Sequence, residues 1–156
     1  MVRKSTLIFC LFTLFSVQAQ KANLNSDLLH YCSSLSSEFN QIPSDRKEYL
    51  NELVSYIVEQ QKAQKAINLV FVCTSNSRRS HMAQVWSQIA SYYYEVKKVS
   101  TFSGGTEKTK VNKNALLALE KTGIVLQSHQ QSENPVWLAS IGFKFTPMVL
   151  FSKKYI

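Results

Sequence analysis

The sequence predicts an α/β protein, a parallel sheet with flanking helices, preceded by a helical extension. Three observations carry this. The apolar run at 67–72 reads as a buried strand and passes through a tight polar loop into the helical pattern that starts at His81. A second strand pattern at 96–103 is followed by a second helical one at 112–122. A third apolar run lies at 148–151. Strands alternating with helices point to a parallel sheet. Ligands of such sheets bind beyond the C-terminal ends of the strands.

In chain order, residues 1–19 read as a secretory signal peptide. Arg3 and Lys4 give a charged start and residues 7–17 a short apolar core. Val17-Gln18-Ala19 has the spacing for cleavage after Ala19. The core is shorter than the roughly 20 residues of a membrane span. The expectation is a secreted or periplasmic protein with no stable membrane association after cleavage; the alternative is an uncleaved interfacial anchor. Phe9 makes Cys10 a poor lipoprotein site. Cleavage removes Arg3 and Lys4, lowering the formal charge from +8 to +6, and leaves Cys32 and Cys73.

Residues 20–66 read as a helical extension. Leu24, Leu28, Leu29, Cys32 and Leu35 recur at helical spacing. After Pro43, Ser44 is the expected N-cap, with Asp45 in the first turn. Leu50, Leu53, Val54, Ile57 and Val58 form a second stripe, and the polar stretch 60–65 ends that helix and links it to the first strand. Both helices are expected to pack on the sheet domain, residues 67–156. There, the helix at 80–94 carries Met82, Val85, Trp86 and Ile89 on one side, and Tyr92, Tyr93 and Tyr94 read as packing residues. The helix at 112–122 carries Ala115, Leu116 and Leu119 and ends at Gly123.

His30, His81 and His129 are too scattered for a metal site, and no cofactor is expected. The basic balance suits anionic ligands. Lys and Arg do not gather on a recognisable reading element, so nucleic acid is not the expected partner.

The chemistry concentrates in Cys73-Thr74-Ser75-Asn76-Ser77-Arg78-Arg79-Ser80. A loop between a strand end and a helix start can turn its amides inward and cradle an oxyanion. The same field favours an ionised sulfur, so Cys73 is expected to have a depressed pKa and to act as a nucleophile. Arg79 offers a planar fork for two phosphate oxygens. Ser80 can donate a hydrogen bond to the thiolate. Asn76 tolerates the left-handed backbone a curled loop needs. Thr74, Ser75, Asn76, Ser77 and Arg78 are the expected substrate-binding residues. The competing reading makes Cys73 a small buried strand-end residue.

In Cys73, Asn76, Arg79 and Ser80, spaced Cys-x-x-Asn-x-x-Arg-Ser, the chain resembles the low-molecular-weight protein tyrosine phosphatase family, which includes the thioredoxin-type arsenate reductases. Ser103-Gly104-Gly105-Thr106 resembles that family's Ser-Ala-Gly-Thr, and Thr74 and Ser77 look like its reductase branch. Ser75 stands where a Gly is common, and Arg78 where a Cys often is. The resemblance, over about residues 67–151, implies a low-molecular-weight phosphatase-like fold and a protein tyrosine phosphatase-like hydrolase of phosphate monoesters. Cys73 would form a cysteinyl-phosphate, Arg79 would stabilise the transition state, and a phosphorylated substrate or a phosphate or arsenate oxyanion would be the partner. It also implies an Asp general acid near the C-terminus. Asp27 and Asp45 both precede Cys73, so the domain is expected to be incomplete at its C-terminus. Glu107, Glu120 and Glu133 are the carboxylates after the loop; Glu107 lies nearest the second strand and is expected to be solvated. The alternatives are an arsenate reductase, needing Cys32 or an external thiol reductant, and a non-catalytic oxyanion-binding domain or truncated fragment.

Overall fold

Residues 67–73 do form a strand, β1 (Ile67–Cys73), and it pairs in parallel with β2 (Val99–Gly105). The register sets Ile67 opposite Val99 and Cys73 opposite Gly105. The computed structural model describes residues 23–155. The expected signal peptide, its cleavage after Ala19 and Cys10 lie outside the described residues.

Helix α3 (Arg79–Tyr93) makes the crossover between the two strands. Val85 and Ile89 are buried on its inner side. Its Gln88 amide also closes the outer edge of β2: Nε2 donates to Val99 O at 3.2 Å and Oε1 accepts from Thr101 N at 3.1 Å. Those are the hydrogen bonds a further strand would have made. The opposite face of the sheet is less covered, with Val70, Val72 and Phe102 each about half exposed.

The two N-terminal helices behave differently. Helix α1 (Ser26–Ser37) starts at Asn25, whose side chain accepts from Leu28 N at 3.0 Å. It buries Leu28 and Cys32 in one core with Val85, Ile89, Leu116, Leu119, Ala139 and Leu150. Each fully buried aliphatic side chain there stabilises by about 2 kcal/mol. A single 3-10 turn (Phe39–Gln41) leads to helix α2 (Ser44–Lys62). Ser44 is its first helical residue rather than its N-cap, because the extended Pro43 takes the cap position, with no side-chain cap bond. Helix α2 buries no residue: Leu50 and Val54 of the expected stripe are about half exposed. Leu53 and Ile57 of the stripe are partly buried and the helix touches β1, so it packs on the sheet domain only lightly.

The second strand starts at Val99 rather than Val96. Glu95 and Lys98 both have positive φ, and Val96 N closes a turn to Ser91 O. Helix α4 (Lys113–Glu120) is shorter than the expected 112–122; Asn112 is its N-cap, its side-chain oxygen accepting from Asn114 N–H at 3.0 Å. Gly123 follows with φ +91, where a Cβ would lie 2.8 Å from Asp27 Cβ. Glycine is required there for both backbone and space.

The expected third parallel strand is not parallel. Residues 148–150 form β5 (Met148–Leu150), antiparallel to β4 (Trp137–Ser140), which is antiparallel to β3 (Val125–Ser128). This three-stranded sheet is separate from the β1–β2 pair. Strands of three and four residues are too short to show alternation, so a short apolar run cannot reveal its direction of pairing. After β5 the chain reaches β2 instead, through a parallel bridge between Gly105 and Lys154. No helix among the described residues is long and apolar enough to cross a membrane.

Gly105 is the tightest point of this arrangement. A Cβ there would lie 2.6 Å from both Asn76 N and Thr74 O, atoms of the backbone that cannot swing away. Gly105→Ala is expected to destabilise the protein by about 1–3 kcal/mol, read as a lower urea midpoint. An unchanged midpoint would mean that the loop over Gly105 shifts freely.

Candidate functional site

Where β1 ends, the chain curls through residues 74–78 and enters α3 at Arg79. Asn76, the pivot of the curl, has φ +40 and is completely buried. Its side-chain amide explains both facts. Asn76 Oδ1 accepts from the backbone N–H of Lys153 at 2.8 Å. A backbone N–H can only donate, so the amide orientation is determined, and Asn76 Nδ2 must face the other way. It donates to Ser80 Oγ at 2.8 Å. Ser80 Oγ, already an acceptor, keeps its proton for Cys73 Sγ, 3.1 Å away.

Burial pushes the Cys73 thiol up, but hydrogen bonds from Ser80 Oγ and from the backbone N–H groups of Ser80, Ser77 and Asn76 outweigh it. They bring it from 9.0 down to about 7. At neutral pH a large share of Cys73 is therefore thiolate, only partly buried, as a nucleophile requires.

The loop is held from below by the segment after β5. Ser152, fully buried, uses every polar atom it has. Its Oγ accepts from Thr109 N at 2.8 Å and donates to Ser75 O at 3.1 Å. Its backbone N–H donates to Asn134 Oδ1 at 3.0 Å, and its carbonyl accepts from Asn134 Nδ2 at 2.7 Å. Lys153 follows, half-buried, with its Nζ 3.4 Å from Ser103 Oγ; burial lowers its pKa. Ser103 Oγ lies 3.1 Å from Nδ1 of the fully buried His81. Burial, then the Lys153 charge, push His81 down to about 4, against a smaller pull from the Asn76 backbone. The imidazole is neutral at physiological pH and supports the loop as a packing and hydrogen-bonding group.

Above the loop opens a cleft of about 930 Å³. Of the residues singled out in the sequence, it brings together Cys73, Ser75, Ser77, Arg78 and Arg79. Thr74 is not in its lining; its carbonyl accepts from Glu107 N at 2.8 Å at the end of β2. Asn76 and Ser80 lie beneath it as supports. Glu107 and Glu133 are exposed and outside the lining, whereas Glu120 is the one carboxylate within it. Sequence reasoning also missed Lys110, Lys113, Pro135 and Trp137. No local pattern marks these; the fold carries them to the loop. Among the described residues, no group of three or more His, Cys, Asp or Glu could hold a metal ion.

Cys32 is remote from this chemistry. It lies in a groove with Trp86, Ile89, Ala90 and Tyr93, toward the C-terminal half of α3. Arg79 to Ile89 spans about 15 Å of helix at 1.5 Å per residue. Neither Cys32 nor Cys73 forms a disulfide among the described residues, and Cys32 is a helix-face core residue.

Compared with known proteins, the chain matches no family model, and no similar curated protein or solved structure was found.

Two outcomes test this geometry. Ser80→Ala should move the pH midpoint of Cys73 alkylation by iodoacetamide from about 7 toward 9. An unmoved midpoint would assign the thiolate to the backbone amides alone. Asn134→Ala removes both partners of the Ser152 backbone and should cost about 1–3 kcal/mol in urea unfolding. It should also raise the Cys73 midpoint by a smaller step, because the loop loses its underpinning.

Proposed function

We propose that this protein is a phosphate monoester hydrolase of the low-molecular-weight protein tyrosine phosphatase type, working through a cysteinyl-phosphate. The observation that carries the reading is the Cys73 thiolate, held near pKa 7 by Ser80 and loop amides beside the side chain of Arg79 in one open cleft. In the first step Cys73 Sγ attacks phosphorus, the S–P bond forms, and the P–O bond to the leaving group breaks. Arg79 makes no hydrogen bond or ion pair among the described residues, so its fork is free for two equatorial oxygens. Ser80 donates to the sulfur as it departs in the second step, when water takes the phosphoryl group and releases phosphate. The signal-peptide reading of residues 1–19 would put this activity outside the cytoplasm.

The position of Cys32 argues against a self-contained arsenate reductase. A resolving thiol must reach the Cys73 adduct, and Cys32 is buried roughly two to three helical turns away. That chemistry would need an external thiol.

The acid that protonates the leaving group is the weakest part of the machinery. Glu120 is the carboxylate that supports this role by its place in the cleft lining. A positioned acid is worth about a hundredfold or more. Two aryl phosphates, of p-nitrophenol and of phenol, test the reading. Turnover of p-nitrophenyl phosphate that is lost in Cys73→Ser and sharply reduced in Arg79→Lys is the expected result. Phenyl phosphate should be much slower, since its leaving group is more basic, and Glu120→Gln should widen that gap. Turnover that survives Cys73→Ser would sink the cysteinyl-phosphate mechanism. A gap that Glu120→Gln leaves unchanged would remove Glu120 from it.

A further inference from the structure

The cleft holds more cationic side chains than contacts to a single phosphate group need. Arg79 alone suffices for two of its oxygens. Arg78, Lys110 and Lys113 line the same cleft, against the single carboxylate of Glu120. All three cations are exposed, and none makes a side-chain hydrogen bond or ion pair among the described residues. Three cationic side chains beyond Arg79 therefore stand around the opening, with Glu120 as the carboxylate among them.

Two of these cations are tied to the phosphate loop by the backbone that bears them. Ser77 Oγ donates to Lys110 O at 2.7 Å, and Asn112 N donates to Ser77 O at 3.0 Å. Thr109 Oγ1 donates to Ser75 O at 2.8 Å. Three hydrogen bonds thus pin residues 109–112 against the loop, and Lys113 follows as the first residue of α4. The lysines stand at a set position relative to the phosphate. Trp137 adds an apolar surface that suits a ring or other flat body between the two charged ends.

Resting on the phosphate-site reading above, we propose that the cleft takes a phosphate ester whose body carries a second anionic group, a carboxylate or another phosphate, received by Lys110 and Lys113 with Arg78. The second anion gives Lys110, Lys113 and Arg78 a partner of their own, apart from the reacting phosphate held at Arg79 and the loop. It also selects among phosphate esters, because the lysines gain nothing from a neutral body. Two exposed pairs of this kind should tighten binding about fivefold.

The test measures equilibrium binding to the full chain carrying Cys73→Ser, which separates recognition from turnover. The ligands are inorganic phosphate, phenyl phosphate, 4-carboxyphenyl phosphate, and two phosphotyrosyl peptides with acidic or neutral flanks. About fivefold tighter binding of 4-carboxyphenyl phosphate than of phenyl phosphate supports a second anion on a small body. A preference seen only between the peptides supports a second anion on a longer chain. In either case the ratio should fall toward one in Lys110→Gln/Lys113→Gln, and with added salt. The glutamines keep length and polarity, and circular dichroism checks that this variant is folded. Equal binding of every member of each pair, with phosphate still bound, overturns the second-anion site and leaves the phosphate site standing. Failure of phosphate and all four esters to bind overturns both.

Discussion

The orientation of one buried amide organises this site. Asn76 receives an N–H from Lys153 on one side and must present its own N–H on the other. That polarity runs through Ser80 to Cys73, so the charge state of the sulfur depends on a backbone group 80 positions along the chain from Cys73. An isolated loop of the same sequence would have no such reference. Its Asn could face either way, and Ser80 could equally give its proton to the amide oxygen and leave the sulfur without a donor. A buried polar network of this kind has a single satisfied arrangement, and partial satisfaction costs more than none.

The smaller sheet serves this network. The β3–β4–β5 unit sets where the chain goes after Leu150. Ser152 is delivered beneath Ser75, and Lys153 beneath Asn76. Asn134, on the connection between β3 and β4, acts as a two-point strand partner for Ser152 and holds that placement. Gly105 then lets the loop, and Gly104 the returning chain at Tyr155, approach β2 more closely than a side chain would allow. The loop's rigidity is thus assembled from three segments distant in sequence. A preorganised site needs this, because donors that must reorient during reaction lose much of their value.

Charge and apolar surface are divided between the two ends of α3. At its start lie Arg78, Arg79 and the thiolate, open to the cleft. Toward its other end Ile89 and Tyr93 meet Cys32 and join the shared core. The division keeps Cys32 away from Cys73. It also gives α1, part of the N-terminal extension, a structural task in the core, while α2 stays on the surface with Leu50, Val54 and Val58 exposed and Leu53 and Ile57 partly buried.

The sequence by itself determined the β1–loop–α3 unit and the residues it holds. A buried strand, a polar turn and a helix start are local features, readable from residues that are neighbours in the chain. Cys73, Asn76, Arg79 and Ser80 all belong to that unit. The same local reading located α1, α2, α4 and β2, with boundaries off by a few residues where Glu95, Lys98 and Pro43 bend the backbone. Only the tertiary structure decided that β5 pairs antiparallel, that Thr74 lies outside the cleft, and that Glu120 rather than Glu107 enters it. It alone brought Lys110, Lys113 and Trp137 to the cleft, and Ser152 and Lys153 beneath the loop. These side chains carry no periodic or motif signal. Their roles come from hydrogen bonds and packing between segments 30 to 80 residues apart, and such pairings are set by which buried polar groups find partners once the core has closed.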